Sequence, residues 1–200
     1  MSKPRLIYVM GPSGVGKDSI LIQLLLLPVP TSDGVHRIHL ARRTIDREIY
    51  GGGEAHESVS CSDFERLTSA NAFALQWQAN GHGYGIRHKE MTDQGGADVV
   101  LINGSRGFWP QAKQLFPDMH TVLISASVPV IRQRLLARGR ESLVQIEQRL
   151  QRLADTPSLP ADLVLTNDAS VQDAAQRFQT WLLALGKPKS ESKFNRYPNP

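Results

Sequence analysis

A single cysteine, Cys61, stands in this chain of 200 residues. It cannot close an internal disulfide, which excludes a disulfide-stapled scaffold and fits a reducing compartment, so the expected location is cytoplasmic. Long apolar runs are missing as well. The longest, Ile20 to Leu27, is interrupted by Gln23 and stopped by Pro28 and Pro30, far short of the ~18 residues that cross a bilayer. Behind Lys3 and Arg5 only Leu6 to Met10 is apolar, too little for a secretory signal. The histidines show no metal-ligand spacing and have one cysteine to work with, so no zinc site is expected. Strong charge of one sign is also lacking from the body. Of the net +4, Lys187, Lys189, Lys193 and Arg196 against Glu191 place +3 after residue 186. A nearly neutral body argues against a nucleic-acid-binding face. Residues 187–200, rich in Lys, Ser, Asn and Pro, form an expected disordered basic tail.

What is present is ordinary globular composition, 40% hydrophobic and 21% charged, enough for one domain over residues 1–186. Arg5 to Met10 is a short apolar run closed by Gly11 and Pro12, the form of a buried parallel strand. Val99 to Ile102, Thr121 to Ser125 and Leu163 to Leu165 repeat it, and His36 to Ala41 is a further strand. Helical periodicity runs over Lys17 to Leu27, Val128 to Arg138, Leu143 to Leu153 and Val171 to Leu185. Ser62 with Glu65 predicts a capping box for a helix over Asp63 to Asn71. Phe73 to Ala79 is a strand, Asn80 to Gly85 a turn, and Arg42 to Ser60 a loop-rich segment. Strands alternating with helices predict an α/β fold: a parallel sheet flanked by helices, with ligands at the carboxyl ends of its strands.

Gly11-Pro12-Ser13-Gly14-Val15-Gly16-Lys17-Asp18-Ser19 lies between the first strand and first helix, and fits G-x-x-x-x-G-K. Glycines let main-chain N–H groups wrap phosphates, the helix N-terminus adds partial positive charge, and Lys17 brings an ammonium. The Ser or Thr usual after the lysine is Asp18 here, with a hydroxyl only at Ser19. A carboxylate beside phosphates needs a cation between them, so Asp18 and Ser19 are the candidate Mg²⁺ ligands.

With the rest of the chain this loop resembles the guanylate kinase superfamily. The residues that carry the likeness are the loop itself, Arg43 and Arg47, Gly53-Glu54, Trp77, Tyr84-Gly85, the Arg134 to Arg140 segment, Arg149 and Asn167-Asp168. The resemblance implies a P-loop NTPase fold with a small substrate-binding insertion (about 36–92) and an arginine-bearing lid (about 136–150). It also implies ATP and Mg²⁺, with Asn167 and Asp168 at the adenine edge. Two departures point to a branch. Where the resemblance implies an acid that reads guanine the chain has the neutral Gln76, and where it implies an acid ending the middle strand it has Asn103. Gly-Lys-Asp-Ser, Gly-Gly-Glu-Ala-His56 and Asn103-Gly-Ser-Arg106 look like the branch that phosphorylates ribose 1,5-bisphosphate to 5-phosphoribosyl 1-diphosphate (PRPP) in phosphonate utilisation.

That likeness sets the expected roles. Lys17, Arg134, Arg138 and Arg140 are the catalytic candidates around the transferring phosphoryl group. Arg43, Arg47, Glu54, Tyr84, Asn103, Arg106 and Arg149 are the substrate-side candidates. The partners are a phosphorylated sugar and ATP, with no membrane or nucleic acid, in a monomer or homodimer. Two alternatives stay open. One is a nucleoside monophosphate kinase acting on GMP, opposed by Gln76 and Asn103. The other is a non-catalytic guanylate-kinase-like interaction module, opposed by the intact Gly16-Lys17 and the lid arginines.

Overall fold

The computed structural model describes residues 3–28, 37–47, 56–92, 96–139, 141–154 and 159–186, with 152–154 through their backbone. Its centre is β1 (Arg5–Met10). Parallel partners join it on both sides: β7 (Val99–Asn103) with β2 (Ile38–Leu40) beyond it, and β8 (His120–Ser125) with β9 (Leu163–Thr166) beyond that. The order β2-β7-β1-β8-β9 buries β1 and β7 on both faces. That is why they read as unbroken apolar runs rather than alternating ones.

Side chains of β1 alternate between two cores. Ile7 and Val9 pack with α1 (Lys17–Leu26), α4 (Val128–Arg138), α5 (Leu143–Ala154) and α6 (Val171–Ala184). Leu6, Tyr8 and Met10 face α3 (Trp109–Leu115) and a second sheet. That sheet runs β4-β3-β6-β5, from β3 (Arg43–Ile45), β4 (Glu57–Ser58), β5 (Phe73–Ala79) and β6 (His82–Arg87). Truncating a fully buried residue such as Ile7 to Ala would cost about 2–5 kcal/mol at such packing.

Several expectations change here. Residues 82–87 are a strand; the turn is Asn80-Gly81 alone, with φ of 52° and 79°, the mirror-image turn that two-residue hairpins require. Two short strands, β3 and β4, stand in the segment expected to be loop. β2 belongs to the parallel sheet, so the second sheet begins at Arg43. The helix α2 spans Cys61–Ser69 and is capped by Ser60, whose Oγ accepts from Asp63 N at 3.1 Å and donates to the Asp63 carboxylate at 2.8 Å. The cap therefore sits two residues earlier than the expected Ser62. The tail 187–200 lies outside the described residues.

Candidate active site

A cleft of about 790 Å³ opens where β1 and β7 end, between the loop 11–19 and the second sheet. Among the described residues six cationic side chains line it, Lys17, Arg43, Arg47, Arg106, Arg138 and Arg149, against one acid, Asp18. Such an imbalance in one concavity concentrates positive potential on a compact polyanion.

The loop 11–19 forms one wall. Gly16 caps α1 with no side-chain hydrogen bond, which leaves the first amides of the helix to an anion. Lys17 Nζ donates to Gly11 O at 2.7 Å and Pro12 O at 3.2 Å, folding the ammonium over the loop. Val15 differs from its neighbours: its side chain is buried in the core, and its carbonyl accepts from Asn167 Nδ2 at 2.7 Å and Arg134 Nη1 at 3.3 Å. Asp18 enters the cleft 44% exposed, with Oδ1 accepting from Asn103 Nδ2 at 2.7 Å and 4.0 Å from Arg43 Nη2.

The opposite wall comes from the second sheet and the loop after β7. Arg43 opens β3, and Arg47 follows it; both line the cleft. Trp77 and Tyr84 are paired across the β5–β6 hairpin, their rings stacked at 5.5 Å, and Phe108 also stacks on Trp77 at 5.6 Å. Trp77 is core and cleft wall at once. Arg106 is partly buried, which holds its guanidinium pKa below the ordinary arginine value. No acidic partner for Arg106 is found among the described residues.

The lid arginines separate. Arg138, at the end of α4, and Arg149, on α5, line the cleft. Arg149 donates to Ser13 Oγ at 3.1 Å and pairs with Glu141 at 2.7 Å. Arg134, one helical turn before Arg138, instead donates to Val15 O and, at 2.9 Å, to Asn167 O, outside the cleft lining. Its donors serve the main chain of the phosphate loop and of β9's end. Asp168 likewise is engaged elsewhere, accepting from Ser127 N at 2.7 Å at the start of α4. Arg140 and Glu54 lie outside the described residues.

Sequence reasoning missed the bonds to Val15 O and the part played by Ser105, which lines the cleft beside Arg106. Only the last had a signal, its place between two residues already singled out.

Three comparisons bear on this site. A protein-family model described as guanylate kinase matches residues 3–185. The chain is 42% identical over 182 residues to ribose 1,5-bisphosphate phosphokinase PhnN of Pseudomonas paraeruginosa, covering 89% of this chain and 95% of that protein. It is 43% identical over 175 residues to the protein of the same name from Azotobacter vinelandii, covering 86% and 92%. Among solved structures, guanylate kinase from Anaplasma phagocytophilum shares the fold, with a TM-score of 0.63 at 17% identity over 92% of this chain and 87% of that one.

Proposed function

The chain belongs to the guanylate kinase family, and from that premise we propose that it catalyses the reaction its curated relatives are named for. The γ-phosphoryl group of ATP passes to the 1-phosphate of ribose 1,5-bisphosphate, giving PRPP and ADP. The observation that carries this reading is the distribution of cations over two walls of one cleft. Lys17 and Arg149 stand at the donor loop; Arg43, Arg47 and Arg106 stand across from it. ATP and a sugar bisphosphate repel each other, and guanidinium forks offset that repulsion bidentately.

An oxygen of the 1-phosphate attacks the γ-phosphorus, the bond to the β–γ bridging oxygen breaks, and ADP leaves with the electron pair. The acceptor's second pKa is near ~6, so it is already anionic at neutral pH and no proton has to be removed. An amide at Asn103 therefore costs the reaction no base. Gln76 is neutral and is not among the cleft-lining residues, which removes the acidic reader that guanine would need. Lys17 and Arg138 act on the phosphoryl group in flight, where charge stabilisation counts most.

Asp18 and Ser19 fit a magnesium ion: both line the cleft, and the half-exposed Asp18 carboxylate is a hard oxygen donor anchored by Asn103. Among the described residues no group of three or more His, Cys, Asp or Glu could enclose a metal. The remaining ligands would be phosphate oxygens and water, as Mg²⁺ takes in kinase sites. When bound, the ion neutralises phosphate charge.

The test is a product analysis. Purified protein is incubated with ATP, Mg²⁺ and either ribose 1,5-bisphosphate, GMP or AMP, and products are followed by ³¹P NMR. The sugar should yield a C1 diphosphate with one ADP per turnover. Faster conversion of GMP than of the sugar would overturn the reading.

A further inference from the structure

Tyr8 is a buried titratable group that the chemistry above does not use. It lies in the middle of β1, fully buried, with its ring in the core between the two sheets. A phenylalanine would satisfy that apolar environment; a buried phenol is tolerated where its hydroxyl finds partners. Here the hydroxyl finds two, both on the main chain of one residue. Tyr8 Oη donates to Ser105 O at 2.8 Å and accepts from Ser105 N at 2.9 Å. Burial raises the phenol pKa, so the hydroxyl keeps its proton and the donor role.

The loop is fitted to that ring. A Cβ on Gly104 would stand 2.0 Å from Tyr8 Cζ and 2.4 Å from Tyr8 Oη, which no rearrangement of a flexible side chain could relieve. Gly104 N donates to Val9 O at 2.9 Å, so the chain leaves β7 pressed flat against β1. The residues held in this way, Asn103, Ser105 and Arg106, all line the cleft. Asn103 grips Asp18, and Arg106 faces the acceptor half without an acidic partner among the described residues.

We propose that Tyr8 is a positioning residue for the acceptor half of the cleft: its phenol oxygen pins the 103–107 loop and thereby sets where Arg106 meets the acceptor's phosphate. The inference rests on the kinase reading above, in which that wall receives the phosphorylated acceptor. Tyr8 touches neither substrate; its effect passes through Ser105.

The test compares wild type, Tyr8→Phe and Gly104→Ala, the second variant attacking the same contact from the loop side. Steady-state kinetics use whichever of ribose 1,5-bisphosphate or GMP the wild type turns over, and hydrogen exchange of the Ser105 amide is followed in the protein alone. In Tyr8→Phe the acceptor KM should rise about tenfold, the scale of one or two lost net hydrogen bonds. The ATP KM and kcat should stay within about twofold, and Ser105 exchange should accelerate by about tenfold or more. Gly104→Ala, whose added methyl must displace either the ring or the loop, should also accelerate Ser105 exchange and raise the acceptor KM. Its kcat and melting temperature are read alongside, and the kcat criterion applies to Tyr8→Phe alone. Unchanged Ser105 exchange, an unchanged acceptor KM, or a parallel loss in kcat and both KM values with the melting temperature would overturn the inference. Turnover of GMP rather than the sugar would instead overturn the substrate assignment, leaving the role of Tyr8 to be read from the same split with GMP.

Discussion

Asn103 and Asp18 meet at the head of the parallel sheet, amide to carboxylate, Nδ2 to Oδ1 at 2.7 Å. One ends β7 and the other follows the phosphate-loop lysine, so the contact ties the end of β7 to the loop 11–19. An amide suits this place because it donates to the Asp18 side chain without adding charge.

Asn103→Asp should set two carboxylates against each other where the amide now donates. Like charges at that distance force one to hold a proton or recruit a cation. At neutral pH kcat/KM should fall by about 10–100-fold, with partial recovery at lower pH or higher Mg²⁺, because each relieves the repulsion. Initial-rate assays over a pH and Mg²⁺ grid measure this. A faster variant, or one insensitive to both, would sink the assignment of Asp18.

Lys17→Met removes the ammonium while keeping most of the side chain's length. The expected loss is about 10²–10³-fold in kcat, the scale of one charged donor on a transferring group. Melting temperature should stay close to wild type. Kinetics and a thermal melt on the same preparation distinguish chemistry from misfolding.

Arg149 is shared between Ser13 and Glu141, both partly exposed contacts. The ion pair itself is worth at most about 1 kcal/mol in such a setting. Glu141→Gln should therefore shift the ATP KM by less than about threefold. Arg149→Met should lower kcat by about tenfold or more, since it removes a guanidinium from the donor side of the cleft. Equal effects from the two variants would assign Arg149 to the pair alone.

His120 lies at the far end of the sheet, edge-on to Trp181 and near Asp162, Arg5 and Lys113. Burial pushes its pKa below the ordinary 6.5, reinforced by the two cations and opposed by Asp162. The unfolded chain then binds more protons between the depressed value and 6.5, so stability rises with pH through that window. It is fully present above 6.5 and is lost as pH falls toward the folded value. Urea melts in steps from pH 7.5 to 4.5 should show a shallower acid decline for His120→Phe than for wild type. An identical slope would mean that His120 does not titrate differently on folding.

The elements that could be read from the residues were those whose signal is local. β1, β7, β8 and β9 are apolar runs with clear ends, α5 and α6 keep their period over two turns or more, and α1 and α4 are bounded by clear stops, Pro28 and Gly139. β3 and β4 are three and two residues long and carry Arg, Thr, Glu and Ser, too short and polar for any period to appear. β6 was hidden by its glycines; pairing with β5 and β3 makes it a strand. The cap of α2 was misplaced because Ser60-x-x-Asp63 and Ser62-x-x-Glu65 are equivalent patterns, and only the fold chooses between them. In the cleft, the contiguous phosphate loop was plain. The contacts of Tyr8 with Ser105, and of Arg134 and Asn167 with Val15, join residues 97 or more positions apart, where spacing carries no information.

The carbonyl oxygen of Val15 is where a β-strand terminus, a helix and the glycine-rich turn converge. Since the acceptor is backbone, replacement of Val15 cannot delete it, and either donor still holds when the other is lost. The joint is thus redundant: Arg134 and Asn167, which also bond to each other, insure one another. Erosion at one of the two sites would be muted, while loss of both would release the turn far more than the separate effects add up to.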